Sequence, residues 1–123
     1  MRVNPPLERE IQSLILQWLN LQYGCKAWRS NTGAVVREYK GKKRFTRFGQ
    51  AGMPDIIGIY RGRFLAIEVK RPGNKATMEQ QMFLDGISRM GGLAFVAFSL
   101  DDCQRELSAF ACPPNPPPPQ TPH

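Results

Sequence analysis

Two apolar segments joined by Arg61-Gly62, in the stretch MPDIIGIYRGRFLAIEVKRPG (residues 53–73), constrain the fold of this chain more than any other feature. The segments DIIGIY and RFLAIEVK are short and rich in branched and aromatic residues, which is typical of β-strands. Arg61-Gly62 predicts a two-residue hairpin turn, which would set Tyr60 opposite Arg63. In the same register, Asp55 faces Glu68.

The open end of this hairpin is therefore predicted to gather charged side chains. Residues that face each other in an antiparallel pair project from the same face, about 5 Å apart. Lys70 follows Glu68 by two residues, so it joins Asp55 and Glu68 on that face. Two carboxylates this close repel each other unless a cation or a proton lies between them. The alternative interpretation is an ion pair between Lys70 and one acid at the rim of the sheet.

Composition limits the chemistry that such a cluster can perform. The single histidine is His123, which excludes His-based nucleophilic triads and most zinc sites. Carboxylate ligands instead favour a hard divalent ion, Mg²⁺ or Mn²⁺. The formal net charge of +7 favours a polyanionic partner, nucleic acid first, although a solvated basic surface is the alternative.

The cellular setting is predicted from two further features of the sequence. Three cysteines without metal-ligand spacing indicate a reducing, intracellular environment. The most apolar helical run, IQSLILQWLNL, is too short and too polar to span a bilayer, so we expect no membrane partner.

The spacing of apolar residues and the positions of helix-breaking residues predict the remaining helices and strands. Apolar residues at helical spacing predict a first helix from about Pro6 to about Tyr23, followed by a strand in CKAWRSN. A second helix begins at Thr77, the run LAFVAFS reads as a buried strand, and DDCQRELSAF reads as a last helix. These elements predict one α/β domain over residues 1–111. The Pro-rich segment 112–123 is predicted to be a tail outside its core.

A basic hairpin is predicted around Gly41, between the first strand and the strand that follows Asp55. It is either a solvated edge, with lysines that block pairing, or an arm that contacts phosphates. The candidate DNA-binding residues are Arg37, Lys40, Lys42, Lys43, Arg44 and Arg47, together with Arg71 beside Lys70.

The order PD, a dozen residues, then EVK resembles the signature of the PD-(D/E)XK nucleases. The fuller pattern GMPDIIG, AIEVKRPG, TMEQ and GGLAFVA resembles the VRR-NUC branch of that superfamily, in its compact stand-alone, phage-associated form. The resemblance runs from the first helix to about Ser99. It implies a restriction-endonuclease-like core, in which helices flank a mixed sheet in the order αβββαβ, with the basic hairpin as an insertion.

The resemblance also implies roles for individual residues. Asp55, Glu68 and the backbone carbonyl of Val69 would bind the metal, joined by a glutamate of the first helix. Lys70 would be the catalytic lysine, and Gln80 would be the helix glutamine of the pattern, with Gln81 next to it. Glu8 is the chosen helix glutamate. Glu10 is the alternative to Glu8. Asn31, in the polar loop before the hairpin, is a further candidate for a position near the metal.

The resulting functional hypothesis is a metal-dependent DNA endonuclease that hydrolyses phosphodiester bonds by in-line attack of a metal-activated water. The family resemblance further implies a homodimer that acts on branched DNA, such as a Holliday junction, in the cytoplasm of a bacterial or phage-infected cell. Two alternatives remain open at this point. One is a non-catalytic DNA-binding module that retains the fold, and the other is a restriction-type endonuclease.

Overall fold

A computed structural model of the chain describes residues 7–30, 33–39, 42–48 and 52–111, with only the backbone described for 33–39, 42–48 and Ala111. Pro6, at the predicted start of the first helix, and the predicted tail 112–123 lie outside the described residues. The elements, in chain order, are α1 (Glu8–Asn20), β1 (Cys25–Arg29), β2 (Gly33–Tyr39), β3 (Lys42–Phe48), β4 (Ile56–Tyr60), β5 (Arg63–Val69), α2 (Met78–Arg89), β6 (Leu93–Ala97) and α3 (Leu100–Ala111).

Four strands form a mixed sheet in the order β1-β4-β5-β6. Strand β4 runs antiparallel to both β1 and β5, whereas β6 runs parallel to β5. Strands β2 and β3 pair only with each other among the described strands, as the predicted inserted hairpin. This arrangement confirms the predicted α/β class and is consistent with a restriction-endonuclease-like core.

The turn between β4 and β5 sets the register that the sequence predicted. Tyr60 pairs with Arg63, and the ladder continues to Ile56 opposite Ile67. Arg61 and Gly62 both have positive φ angles, 49° and 83°, as a two-residue turn of the I′ type requires. Asp55 directly precedes Ile56 and Glu68 directly follows Ile67, so both residues lie at the open end of the hairpin.

Helices cover both faces of the sheet. Apolar residues of α1 and α3, including Ile15, Leu19 and Leu107, form one core with alternate residues of the strands. Helix α2 contacts β5 and β6, and its one fully buried residue is Leu84. Strand β5 is buried continuously from Leu65 to Val69 because it is central and has helices on both sides.

Helix α1 ends earlier than predicted, at Asn20 rather than near Tyr23. The Asn20 side chain bonds both the backbone N–H and the carbonyl of Ala27, at 2.9 and 3.0 Å. These bonds satisfy backbone groups of the edge strand β1 and turn the chain back on itself, so the last predicted helical turn becomes the connection to β1.

We expect Gly58→Ala to destabilise the protein by about 3 kcal/mol, because the site cannot hold a methyl group. A Cβ atom at Gly58 would lie 2.3 Å from the carbonyl oxygen of Lys26 and 2.7 Å from Cα of Ala27. These backbone atoms belong to β1, so the β1–β4 pairing must shift. Urea unfolding of the variant measures the effect.

The matched control for this prediction is Gly86→Ala. A Cβ at Gly86 meets no atom within 4 Å, and Gly86 lies inside helix α2, where alanine is favoured over glycine by about 1 kcal/mol. This variant should be as stable as the parent protein or slightly more so. Equal destabilisation by both substitutions would contradict the steric explanation.

Among the described helices, none combines the length and the apolar character that crossing a membrane requires.

Candidate active site

Asp55 is held in place through its backbone and its side chain. It lies one residue before β4, after the fully buried Pro54. The backbone N–H of Ser30 donates to the Asp55 carbonyl at 2.8 Å. The backbone N–H of Val69 donates to Oδ2 of Asp55, also at 2.8 Å. Asp55 therefore links the end of β1 to the end of β5, with its carboxylate directed towards the latter.

Glu68 is the one buried charged residue in the described part of the chain, with 2% of its surface exposed. Its Oε1 accepts a hydrogen bond from Nε2 of Gln80 at 3.0 Å and lies 3.7 Å from Nζ of Lys70. Its Oε2 is buried and has no hydrogen-bond partner within the described residues. An unpartnered buried carboxylate oxygen is costly, so this atom requires a ligand or a proton.

The environment of Glu68 favours its neutral form. Burial raises the pKa of Glu68 from 4.5 to about 8, and the charge of Asp55 acts in the same direction. Lys70 opposes this rise in the pKa, and the charge of Glu8 adds to it. The three sequence-predicted residues Asp55, Glu68 and Lys70 are thus brought together, as the hairpin register predicted.

Without a divalent cation, the stability of the protein is expected to fall as the pH rises from about 4.5 to about 8. Because the pKa of Glu68 is higher in the folded chain, the folded state binds more protons than the unfolded state throughout this window. The free energy of unfolding then decreases with pH. At about 1.4 kcal/mol per pKa unit, the rise in the pKa of Glu68 from 4.5 to about 8 corresponds to a loss on the order of 4 to 5 kcal/mol.

Urea unfolding in EDTA at pH 5 and pH 8 measures this loss. Glu68→Gln is the control, since it removes the titrating group and should remove this part of the pH dependence. Parallel pH profiles for the parent protein and the variant would contradict the assignment to Glu68.

The structure distinguishes between the two glutamines at the start of α2. Gln80 points to Glu68, whereas Gln81 is exposed and donates to Oδ1 of Asp85 at 2.9 Å. Gln80 also takes part in the N-terminal cap of α2. Its Oε1 accepts from the Thr77 backbone N–H at 2.8 Å, and its own N–H donates to Oγ1 of Thr77 at 3.1 Å.

The two glutamates of α1 also differ in their surroundings. Glu10 is exposed and accepts from the backbone N–H of Leu7 at 3.3 Å, which is a helix-capping contact. Glu8 is half-buried, and its charge acts on Glu68. Within residues 7–30 and 52–111, however, no three acidic, cysteine or histidine side chains are gathered closely enough to form a metal-ligand cluster. The carboxylates brought together are the pair Asp55 and Glu68, with Glu8 nearby.

The predicted DNA-binding residues are only partly described. Arg71 is half-buried and directly follows Lys70. Lys40 and Asn31 lie outside the described residues. The side chains of the remaining candidates, Arg37, Lys42, Lys43, Arg44 and Arg47, also lie outside them, although their backbones form β2 and β3.

Two residues next to the site were missed by sequence reasoning. Arg29 donates to Gln12, to Ser13 and to the Arg9 carbonyl, at 3.1, 2.8 and 3.2 Å, and so ties β1 to the first turns of α1. No sequence signal marks these contacts because they join segments about 16–20 residues apart.

The second of these residues is Gly52, which sequence reasoning used only as part of a motif. Its backbone has a φ of +80°, and a Cβ there would lie 2.5 Å from the Glu79 carbonyl. The glycine therefore lets the loop before Asp55 pack directly on the first turn of α2, which carries Gln80.

Comparison with known proteins adds one finding. Residues 7–100 match the model of a family described as the VRR-NUC domain. The matched stretch covers more than half of the chain and extends from α1 through β6, so it includes every residue placed at the site above. No curated protein sequence matches the chain.

Proposed function

The chain belongs to the VRR-NUC family, which implies a nuclease that acts on DNA, and on this premise we propose that it is a divalent-metal-dependent endodeoxyribonuclease. We propose further that it is of the compact, phage-associated type and that it selects branched DNA such as the four-way Holliday junction.

The observation that carries this proposal is the environment of Glu68. A buried carboxylate oxygen without a partner, next to a second carboxylate, fits a hard cation better than any protein group described around it. Asp55, Glu68 and the Val69 carbonyl would bind Mg²⁺ or Mn²⁺, with Glu8 completing the ligand set. When bound there, the ion would act as a Lewis acid that lowers the pKa of the attacking water and offsets the negative charge of the scissile phosphate.

The remaining site residues would act on the substrate or on the ligands. The Lys70 side chain, 15% exposed and 3.7 Å from Glu68, is placed to offset negative charge that develops on the phosphate under attack. Gln80 would hold Glu68 in one orientation through its hydrogen bond to Oε1. Arg71 and the basic residues of the β2–β3 hairpin would contact backbone phosphates, which makes binding weaken steeply with salt.

The proposed preference for branched DNA rests on the symmetry of the proposed homodimer. A homodimer with two-fold symmetry would suit a substrate of the same symmetry, because it places one site on each of two opposing strands.

The test is cleavage, by the purified protein with Mg²⁺ or Mn²⁺, of a four-way junction beside a linear duplex and a single strand of matched sequence. Paired symmetric nicks in the junction, absent with EDTA, are the expected result. Equal cleavage of all three substrates would support the nuclease activity and overturn the proposed selectivity for junctions. Binding without cleavage of any substrate would overturn the proposed nuclease activity and favour a DNA-binding module that retains the fold.

A further inference from the structure

The amide of Gln80 is engaged at both ends by different parts of the molecule. Its oxygen, Oε1, accepts from the Thr77 backbone N–H at 2.8 Å. Its nitrogen, Nε2, donates to Oε1 of Glu68 at 3.0 Å. The backbone of Gln80 is fixed as well, because its N–H donates to Oγ1 of Thr77 at 3.1 Å. Thr77 and Gln80 thus form a reciprocal capping box at the N-terminus of α2.

The cap determines which way the Gln80 amide faces. A glutamine amide has an acceptor on one side and donors on the other. Once the Thr77 N–H holds the oxygen, the nitrogen must face Glu68. The reversed amide would turn its oxygen towards a carboxylate and its nitrogen towards an N–H donor, so both hydrogen bonds would be lost. A helix cap is therefore connected to the orientation of a buried carboxylate in the neighbouring strand.

The two oxygens of Glu68 consequently have different surroundings. Oε1 receives the Gln80 amide and lies 3.7 Å from Lys70, whereas Oε2 has no partner within the described residues. The first turn of α2 packs directly on the loop that carries Asp55. Gly52 packs so closely on this turn that a Cβ would lie 2.5 Å from the Glu79 carbonyl and 3.2 Å from the Gln80 nitrogen.

We propose that Thr77 is a positioning residue of the active site: through the cap of α2 it orients Gln80, which occupies Oε1 of Glu68 and leaves Oε2 directed at the divalent cation. This inference rests on the proposed function, because it assigns the cation to one oxygen of Glu68. Residues that orient metal ligands affect metal affinity by about 10- to 100-fold when they are removed.

The test measures Mn²⁺ binding by calorimetry in the absence of DNA, together with urea unfolding and cleavage kinetics. Thr77→Ala should weaken Mn²⁺ binding by about 10-fold, and Thr77→Ser should restore it to within about threefold, because serine caps helices as well as threonine does. Ser99→Ala is the matched control. Oγ of Ser99 accepts from the Asp102 backbone N–H at the start of α3, at 3.2 Å, so this variant loses a comparable cap without touching Gln80.

A double substitution separates a positioning role from general destabilisation. If Thr77 acts through Gln80, the variant with both Thr77→Ala and Gln80→Ala binds Mn²⁺ no more weakly than Gln80→Ala alone. Cleavage should show the same pattern in kcat, with KM for DNA changed less than twofold, since the proposal gives both side chains a role in orienting Glu68 and neither a role in binding DNA.

Each outcome has a defined consequence. Unchanged Mn²⁺ affinity in Thr77→Ala, equal weakening in Ser99→Ala, or additive losses in the double variant would each overturn the positioning role while the parent protein still binds Mn²⁺ and cleaves DNA. Failure of the parent protein to bind Mn²⁺ or cleave DNA would instead overturn the proposed function, and this inference with it.

Discussion

Replacing Asp55 by asparagine is expected to lower metal-dependent DNA cleavage by about 1000-fold, the order of loss found when one charge-stabilising group is removed from an active site. Asparagine has nearly the same shape, and its side-chain oxygen can still accept the hydrogen bond from the Val69 N–H. The negative charge is what disappears. Cleavage of a labelled junction, beside gel-shift binding of the same DNA, separates catalysis from binding.

Asp55→Ala is the companion variant for this experiment. It loses the charge and also leaves the Val69 N–H without its acceptor, so it should be less stable than Asp55→Asn by about 1 kcal/mol. Cleavage should be lost to the same extent in both variants while DNA binding persists. Cleavage by Asp55→Asn at the rate of the parent protein would remove Asp55 from the reaction.

Glu68→Gln is expected to change activity and stability in opposite directions. Cleavage should fall by about 1000-fold because a neutral amide is a poor ligand for Mg²⁺. In EDTA at pH 8 the same variant should be more stable than the parent protein by about 4 kcal/mol, because no charge has to be buried at this position. Cleavage assays and urea unfolding of the same preparation measure the two effects.

The control for this prediction is Glu79→Gln. Glu79 is an exposed acid in the first turn of α2, next to Gln80. Its replacement by glutamine also removes one negative charge, and both the cleavage rate and the free energy of unfolding should stay close to those of the parent protein. A Glu68→Gln variant that is less stable than the parent protein at pH 8 would show that the Glu68 carboxylate is stabilised by groups other than a cation.

The strands and the position of the acidic pair were predictable because their causes are local. A two-residue turn at Arg61-Gly62 determines the whole β4–β5 register, and that register places Asp55 and Glu68 at the same end of the hairpin. The inserted hairpin around Gly41 was predictable for the same reason. The end of α1 was not, because it depends on contacts between Asn20 and a strand seven residues further on.

The details of the site depended on how the elements are oriented in three dimensions. Gln80 and Gln81 are neighbours in sequence, and only the packing of α2 against β5 turns the first towards Glu68 and the second towards solvent. The rotation of α1 about its axis has the same effect on its two glutamates: Glu8 is half-buried and its charge acts on Glu68, whereas Glu10 is exposed. Helical periodicity gives the relative angle of two such residues but not the direction that either faces.

The sequence by itself determined that two carboxylates and a lysine meet at the end of a hairpin, because turn geometry and strand alternation act over a few residues. Only the tertiary structure decided that Glu68 is buried, that its Oε1 is bonded to Gln80 and that its Oε2 has no partner among the described residues. Desolvation depends on every element packed around an atom, and those elements come from distant parts of the chain.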